Sequence, residues 1–196
     1  MTPMPAAPVN AAREHRPPLA ITMGDAAGVG PEIVLRAWAD GALGDNVVVY
    51  GDAAILHAGA ALLGLHIDWQ RFPLVDLGLL SAADLVPGQL SAATGSAARA
   101  YVERATLDAL SGAVSGLVTL PINKEATQLT HPGFVGHTEF IAELCGVQKV
   151  TMMLTAELAS AALAPAGQNE PAHQSGDPAR RLAVTHVSTH CSLADA

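Results

Sequence analysis

Cysteine, aromatic side chains and positive charge are all scarce in this 196-residue chain, and each scarcity removes a class of function. The two cysteines, Cys145 and Cys191, stand far apart with no CxxC, which excludes a zinc ribbon and a redox dithiol; both are expected as buried thiols in a reducing compartment. Aromatic residues make up 4% of the chain, too few for an interface of stacked bases. Ten Lys plus Arg face eighteen Asp plus Glu, a net charge of -8 with no basic cluster, so no nucleic acid is expected as a partner. No apolar run approaches the roughly 20 residues that cross a bilayer. Residues 1–18 hold no signal-peptide core either. The expectation is therefore a cytoplasmic chain without a membrane partner.

What is present is a chain that is 50% hydrophobic, enough for one large domain or parts of two. Residues 1–18 read as a disordered head, rich in Pro and Ala. The apolar run Leu19 to Met23 ends in the turn Gly24-Asp25-Ala26-Ala27-Gly28-Val29-Gly30, and Pro31 opens a helix to about Ala39. The pattern repeats with the strand Val47 to Tyr50, Asp52 as an N-cap, and an Ala/Leu-rich helix closed by Gly64. A helix over 91–110, a buried strand from Gly116 to Leu120, a helix start at Pro121-Ile122-Asn123-Lys124-Glu125 and a short helix from Thr138 to Leu144 follow. Next come a strand over 149–154, a flexible segment over 156–180, and a final strand running to His190. Alternating strands and helices predict a parallel sheet covered by helices, an α/β fold. A structureless connection of about 20 residues is uncommon inside a domain, and 156–180 is expected to be a disordered insertion.

Four places carry chemistry. The glycine turn over 24–30 precedes a helix N-terminus, where backbone N–H groups can meet an anion. It lacks the Gly-Lys-Ser/Thr of a P-loop, and Ile33 stands where the dinucleotide fingerprint needs glycine. Its glycines serve either a sharp turn or the approach of a ligand. Gly136-His137-Thr138 places an imidazole, a hydroxyl and free N–H donors at one helix start. Lys124 follows the C-terminal end of an apolar strand, a location that suits either an active-site lysine or a solvated helix start. His186 and His190 share one face of a strand, but about 13 Å apart, too far for one metal. His190, at the strand's C-terminal end, is the better metal ligand, and His186 the better core histidine.

Together these stretches resemble the 4-hydroxythreonine-4-phosphate dehydrogenase family and its sugar-acid-phosphate relatives. The match runs in order through Ile21 to Ile33, Pro121 to Ala126, Gly136 to Phe140 and Val184 to His190. The resemblance implies an isocitrate/isopropylmalate-dehydrogenase-like two-domain α/β/α architecture, with this chain as its N-terminal part. The active site would lie in the interdomain cleft and at a homodimer interface. It implies substrate binding by His137 and Thr138 and metal binding by His190, the first of three ligand histidines. The cofactors implied are NAD and a divalent metal, Zn, Mg or Co. The implied reaction is oxidation of 4-hydroxythreonine 4-phosphate and loss of CO2 from the β-keto acid, in pyridoxal phosphate biosynthesis. A D-threonate or D-erythronate 4-phosphate dehydrogenase is the nearest alternative, and a truncated, inactive fragment the other. Ala26 stands where the family has proline. Family members also continue well past the position of Ala196, with the other two metal histidines.

Overall fold

The computed structural model describes residues 16–158 and 180–185, and the chain divides into two units, residues 1–148 and 149–196. In the first unit the elements run β1 (Leu19–Thr22), α1 (Gly30–Ala39), β2 (Val47–Gly51), α2 (Ala53–Leu63), β3 (Leu74–Asp76), α3 (Ala92–Leu110), β4 (Gly116–Thr119), α4 (Lys124–Gln128) and α5 (His137–Leu144). The four strands form one parallel sheet in the order β3-β2-β1-β4. β1 is central. Leu19 to Thr22 pair with Val47 to Tyr50 on one side and with Gly116 to Thr119 on the other.

That order fixes where a site can lie. The chain winds outward from β1 through β2 to β3, then crosses back to β4 on the far side of β1. Right-handed crossovers then put α1 and α2 on one face of the sheet and α3 on the other. The winding reverses between β1 and β4, and in open parallel sheets the crevice at such a reversal, beyond the carboxyl ends of the strands, is where ligands bind.

The core between the layers holds Ile21, Met23, Leu35, Val49, Ile55, Leu56 and Tyr101, each at most 6% exposed. Burying an aliphatic side chain of this size is worth about 1.5–3 kcal/mol. Pro31 sits in the first turn of α1, as the sequence predicts, and Gly64 ends α2 at φ 66° with its N–H on Ala60 O and Ala61 O. A second apolar cluster, Val102, Phe134 and Phe140, joins α3 to α5, with the Arg99 guanidinium 4.3 Å over the Phe140 ring.

Asp52 departs from its expected role. It stands at the N-cap of α2, but its carboxylate makes no cap hydrogen bond. Fully buried, it accepts instead from Leu79 N at 2.8 Å, Leu80 N at 3.0 Å and Tyr101 Oη at 2.5 Å. A buried carboxylate needs several donors, and the loop after β3 and helix α3 supply them. Cys145 also departs from expectation. It is exposed, because it caps α5 one residue past the last packed position, Leu144, and Gly146 at φ 67° turns the chain away.

In the second unit the described residues form an antiparallel hairpin, β5 (Met153–Leu158) with β6 (Arg180–Thr185), in register from Met153↔Thr185 to Leu158↔Arg180. The expected 149–154 strand thus lies a few residues later, and β5 and β6 make a two-stranded sheet of their own. The ends of the 156–180 segment belong to these strands. Residues 1–15, 159–179 and 186–196, with the expected head, most of the insertion, Cys191, His186 and His190, lie outside the described residues.

Candidate functional site

The reversal point between β1 and β4 holds an open cleft of about 510 Å³. Asp25, Ala27, Gly28 and Val29 line it from the β1–α1 loop, Gly88 and Gln89 from the approach to α3, and Pro121, Ile122, Asn123 and Lys124 from the segment after β4. Backbone hydrogen bonds tie the three segments together: Asp25 N donates to Pro121 O at 3.0 Å, and Gly88 N to Ala27 O at 2.7 Å. Asp25 is 4% exposed and takes Ala27 N on Oδ1 at 2.9 Å, which stiffens the turn from within.

Two glycines of this turn serve the chain's own packing. Gly24 lies at φ +75°, and a Cβ there would sit 2.3 Å from Pro121 O; a Cβ on Gly30 would sit 2.0 Å from Met23 O. Gly28 differs. Its backbone lies outside the left-handed region, and a Cβ would meet nothing nearer than 3.4 Å, so the fold makes no demand for glycine there. Of the two roles open at sequence level, the sharp turn belongs to Gly24 and Gly30, while Gly28 is the one that borders the cleft.

Lys124 comes close to Gly136, at the start of α5, although neither His137 nor Thr138 lines the cleft. Helix α4 begins at Lys124, where Asn123 Oδ1 accepts from Ala126 N at 3.1 Å. Helix α5 begins at His137 behind Gly136, which offers no side-chain cap. Lys124 Nζ and Cε lie 3.6 Å from the place a Gly136 Cβ would take, and Glu139 Oε2 lies 3.2 Å from it. The His137 ring is partly buried, and its Nε2 is sealed from solvent without a hydrogen-bond partner among the described residues. Burial first, and the Lys124 charge second, hold the imidazole below its ordinary value. It is therefore neutral near pH 7, with one ring nitrogen to donate and one to accept.

No three His, Cys, Asp or Glu side chains converge on a possible metal position among the described residues, and His190 is not among them. Sequence reasoning passed over Gly88 and Gln89. The Pro87-Gly88 dipeptide was the available signal, since such pairs punctuate loops. Among the described residues, no helix is long and apolar enough to cross a membrane.

A parallel α/β unit with an open cleft at its winding reversal belongs to the broad class of metabolite-binding α/β proteins. Comparison with known proteins narrows this. The family described as Pyridoxal phosphate biosynthetic protein PdxA matches residues 44–196, and the chain belongs to it. The chain is 34% identical over 191 residues to a 4-hydroxythreonine-4-phosphate dehydrogenase of Beijerinckia indica, covering 91% of this chain and 50% of that protein. It is 32% identical over 198 residues to a D-threonate 4-phosphate dehydrogenase of Cupriavidus necator, covering 93% and 52%. Among solved structures, a 4-hydroxythreonine-4-phosphate dehydrogenase of Klebsiella pneumoniae superposes with TM-score 0.69 at 32% identity, over 94% of this chain and 53% of that one. The chain thus spans about half the length of the relatives it matches.

Proposed function

We propose that this chain belongs to an oxidoreductase that oxidises the secondary alcohol of a 4-phosphorylated, four-carbon hydroxy acid, with loss of CO2 from the β-keto acid product. The first substrate is 4-hydroxythreonine 4-phosphate. D-threonate or D-erythronate 4-phosphate is the second reading, favoured by the nearly equal identity to relatives carrying the two dehydrogenase names. What supports the reading is His137 at the first turn of α5, its Nε2 without a hydrogen-bond partner among the described residues, a residue to which the family resemblance assigns substrate binding. His137 and Thr138 hold substrate oxygens through the ring nitrogen and the hydroxyl. The cleft beside them, between Asp25 and Lys124, receives the remainder of the bound molecules.

NAD accepts hydride, and a divalent metal ion, Zn, Mg or Co, stabilises negative charge on oxygen. His190 is one ligand of that metal in this reading. The full architecture is of the isocitrate/isopropylmalate-dehydrogenase-like two-domain kind and homodimeric.

The test is NADH formation from each of the three phosphorylated acids with NAD and each metal, alongside calorimetric binding of the same acids. Binding that is lost in His137→Gln, with or without turnover by residues 1–196, supports the reading. No binding of any of the three acids would overturn it, and binding without turnover would mark this chain as an inactive part of the family's enzyme.

A further inference from the structure

Two carboxylates are buried among the described residues, and the fold treats them differently. Asp52, 0% exposed, is met by three donors, the N–H groups of Leu79 and Leu80 and the Tyr101 hydroxyl. Asp25, 4% exposed, is met by one, the Ala27 N–H on Oδ1 at 2.9 Å. No basic side chain among the described residues forms a salt bridge with it. A buried carboxylate short of donors is costly, and a group left in that state calls for a cause. Asp25 lines the cleft, and the side-chain atoms sealed from solvent without a partner among the described residues are Thr22 Oγ1 and His137 Nε2, not Asp25 Oδ2. The oxygen that Ala27 leaves free therefore opens towards the cleft. Gly28 keeps the way to it clear: a Cβ there would stand 3.7 Å from Asp25 Cβ, and the chain's own packing makes no demand for glycine at that position. The backbone bonds from Asp25 N to Pro121 O and from Gly88 N to Ala27 O hold the carboxylate in place.

We propose that Asp25 is a ligand-binding residue: past Gly28, its Oδ2 accepts a hydrogen bond from an O–H or N–H donor of the molecule bound in the cleft. This rests on the reading of the cleft as part of the substrate site. The donor comes either from the phosphorylated acid, as a hydroxyl or an ammonium, or from a ribose hydroxyl of NAD. A carboxylate offers acceptors alone, so this wall of the cleft selects donors. A phosphate or carboxylate group in the same place would set like charges together where little water reaches, so the anionic ends of the ligand turn away from Asp25.

The measurement is calorimetric binding of 4-hydroxythreonine 4-phosphate, D-threonate 4-phosphate and NAD, each in its own titration, to the wild-type chain and to Asp25→Asn. Asparagine keeps an oxygen for the Ala27 N–H, so the turn and the urea midpoint should hold. At least one ligand is expected to bind Asp25→Asn about ten- to hundredfold more weakly, the loss that follows removal of one hydrogen bond to a charged acceptor, and the ligand that weakens identifies the source of the donor. Gly28→Ala leaves the carboxylate and sets a methyl beside it. It should weaken the same ligand at an unchanged midpoint, and it decides the case if Asp25→Asn unfolds or lowers the midpoint. Undiminished binding of every ligand by the deciding variant would overturn the proposal while leaving the reading of the site intact. A wild-type chain that binds none of the three ligands overturns that reading, and this proposal with it.

Discussion

Replacing Gly24 by alanine tests the geometry on which the cleft depends. At φ +75° a non-glycine residue pays roughly 1–2 kcal/mol for the left-handed backbone. The added Cβ would stand 2.3 Å from Pro121 O, more than 1 Å inside the 3.4 Å at which ordinary contact begins, so the β1–α1 loop and the segment after β4 must part. Parting them breaks the 3.0 Å bond from Asp25 N to Pro121 O, worth about 0.5–1.5 kcal/mol net. The expected total is about 1.5–3.5 kcal/mol, a large share of the roughly 5–15 kcal/mol that holds an ordinary domain together. Urea unfolding followed by circular dichroism reads this as a fall in midpoint at constant slope. Gly28→Ala is the control. With no contact nearer than 3.4 Å, it should stay within about 0.5 kcal/mol of wild type while weakening binding in the cleft it borders. Equal losses of stability in the two variants would refute the division of roles between these glycines.

Three further outcomes are expected. Asp52→Ala strands the Leu80 N–H and the Tyr101 hydroxyl in the interior, at about 1–3 kcal/mol for each group, and takes the acceptor from the part-buried Leu79 N–H, so it should destabilise far more than Tyr101→Phe; in a double-mutant cycle by urea unfolding, strict additivity would argue against the network. The chain's only tyrosines, Tyr50 and Tyr101, both donate to carboxylates, and burial followed by those bonds pushes Tyr50 up to about 12 and raises Tyr101 as well. Their contribution to stability is whole below the ordinary value of 10.0 and is lost as pH rises through the folded values, so phenolate absorbance should appear at high pH only together with loss of helical signal. His137, held below its ordinary 6.5, contributes stability that is whole above that value and is lost as pH falls through the lower folded one; His137→Gln should flatten this acid-side slope, and an unchanged slope would contradict the burial of the ring.

The frame of the sheet was legible because its signals are local. Glycine and proline punctuate β1, α1 and α2, and the apolar spacing over 91–110 marks α3 to within a residue. β3 was not legible. Three residues of an edge strand, Leu74 to Asp76, carry no period long enough to read. Asp52 looked like a cap because its nearest sequence neighbours begin a helix, but its strongest partner, Tyr101, lies 49 residues away. Lys124 and His137 were each visible as candidates, and the approach of Lys124 to Gly136 was not, since it is made by contacts of α4 and α5 with α3. The antiparallel pairing of β5 and β6 was likewise hidden, because residue composition marks a strand without giving its direction.

The central place of β1 also governs the order in which this chain can be made. Its first neighbour, β2, follows after one short helix, whereas Leu19 meets Gly116 only after 97 residues have been added. During synthesis the apolar Leu-Ala-Ile-Thr strand therefore has one edge paired and the other open until α3 and β4 have left the ribosome. An open apolar edge is the surface on which chains stick to one another, and long-range parallel pairing is slow to close it. Losses of this protein to aggregation should therefore concentrate in nascent chains that end before β4, and fall sharply once Thr119 has emerged.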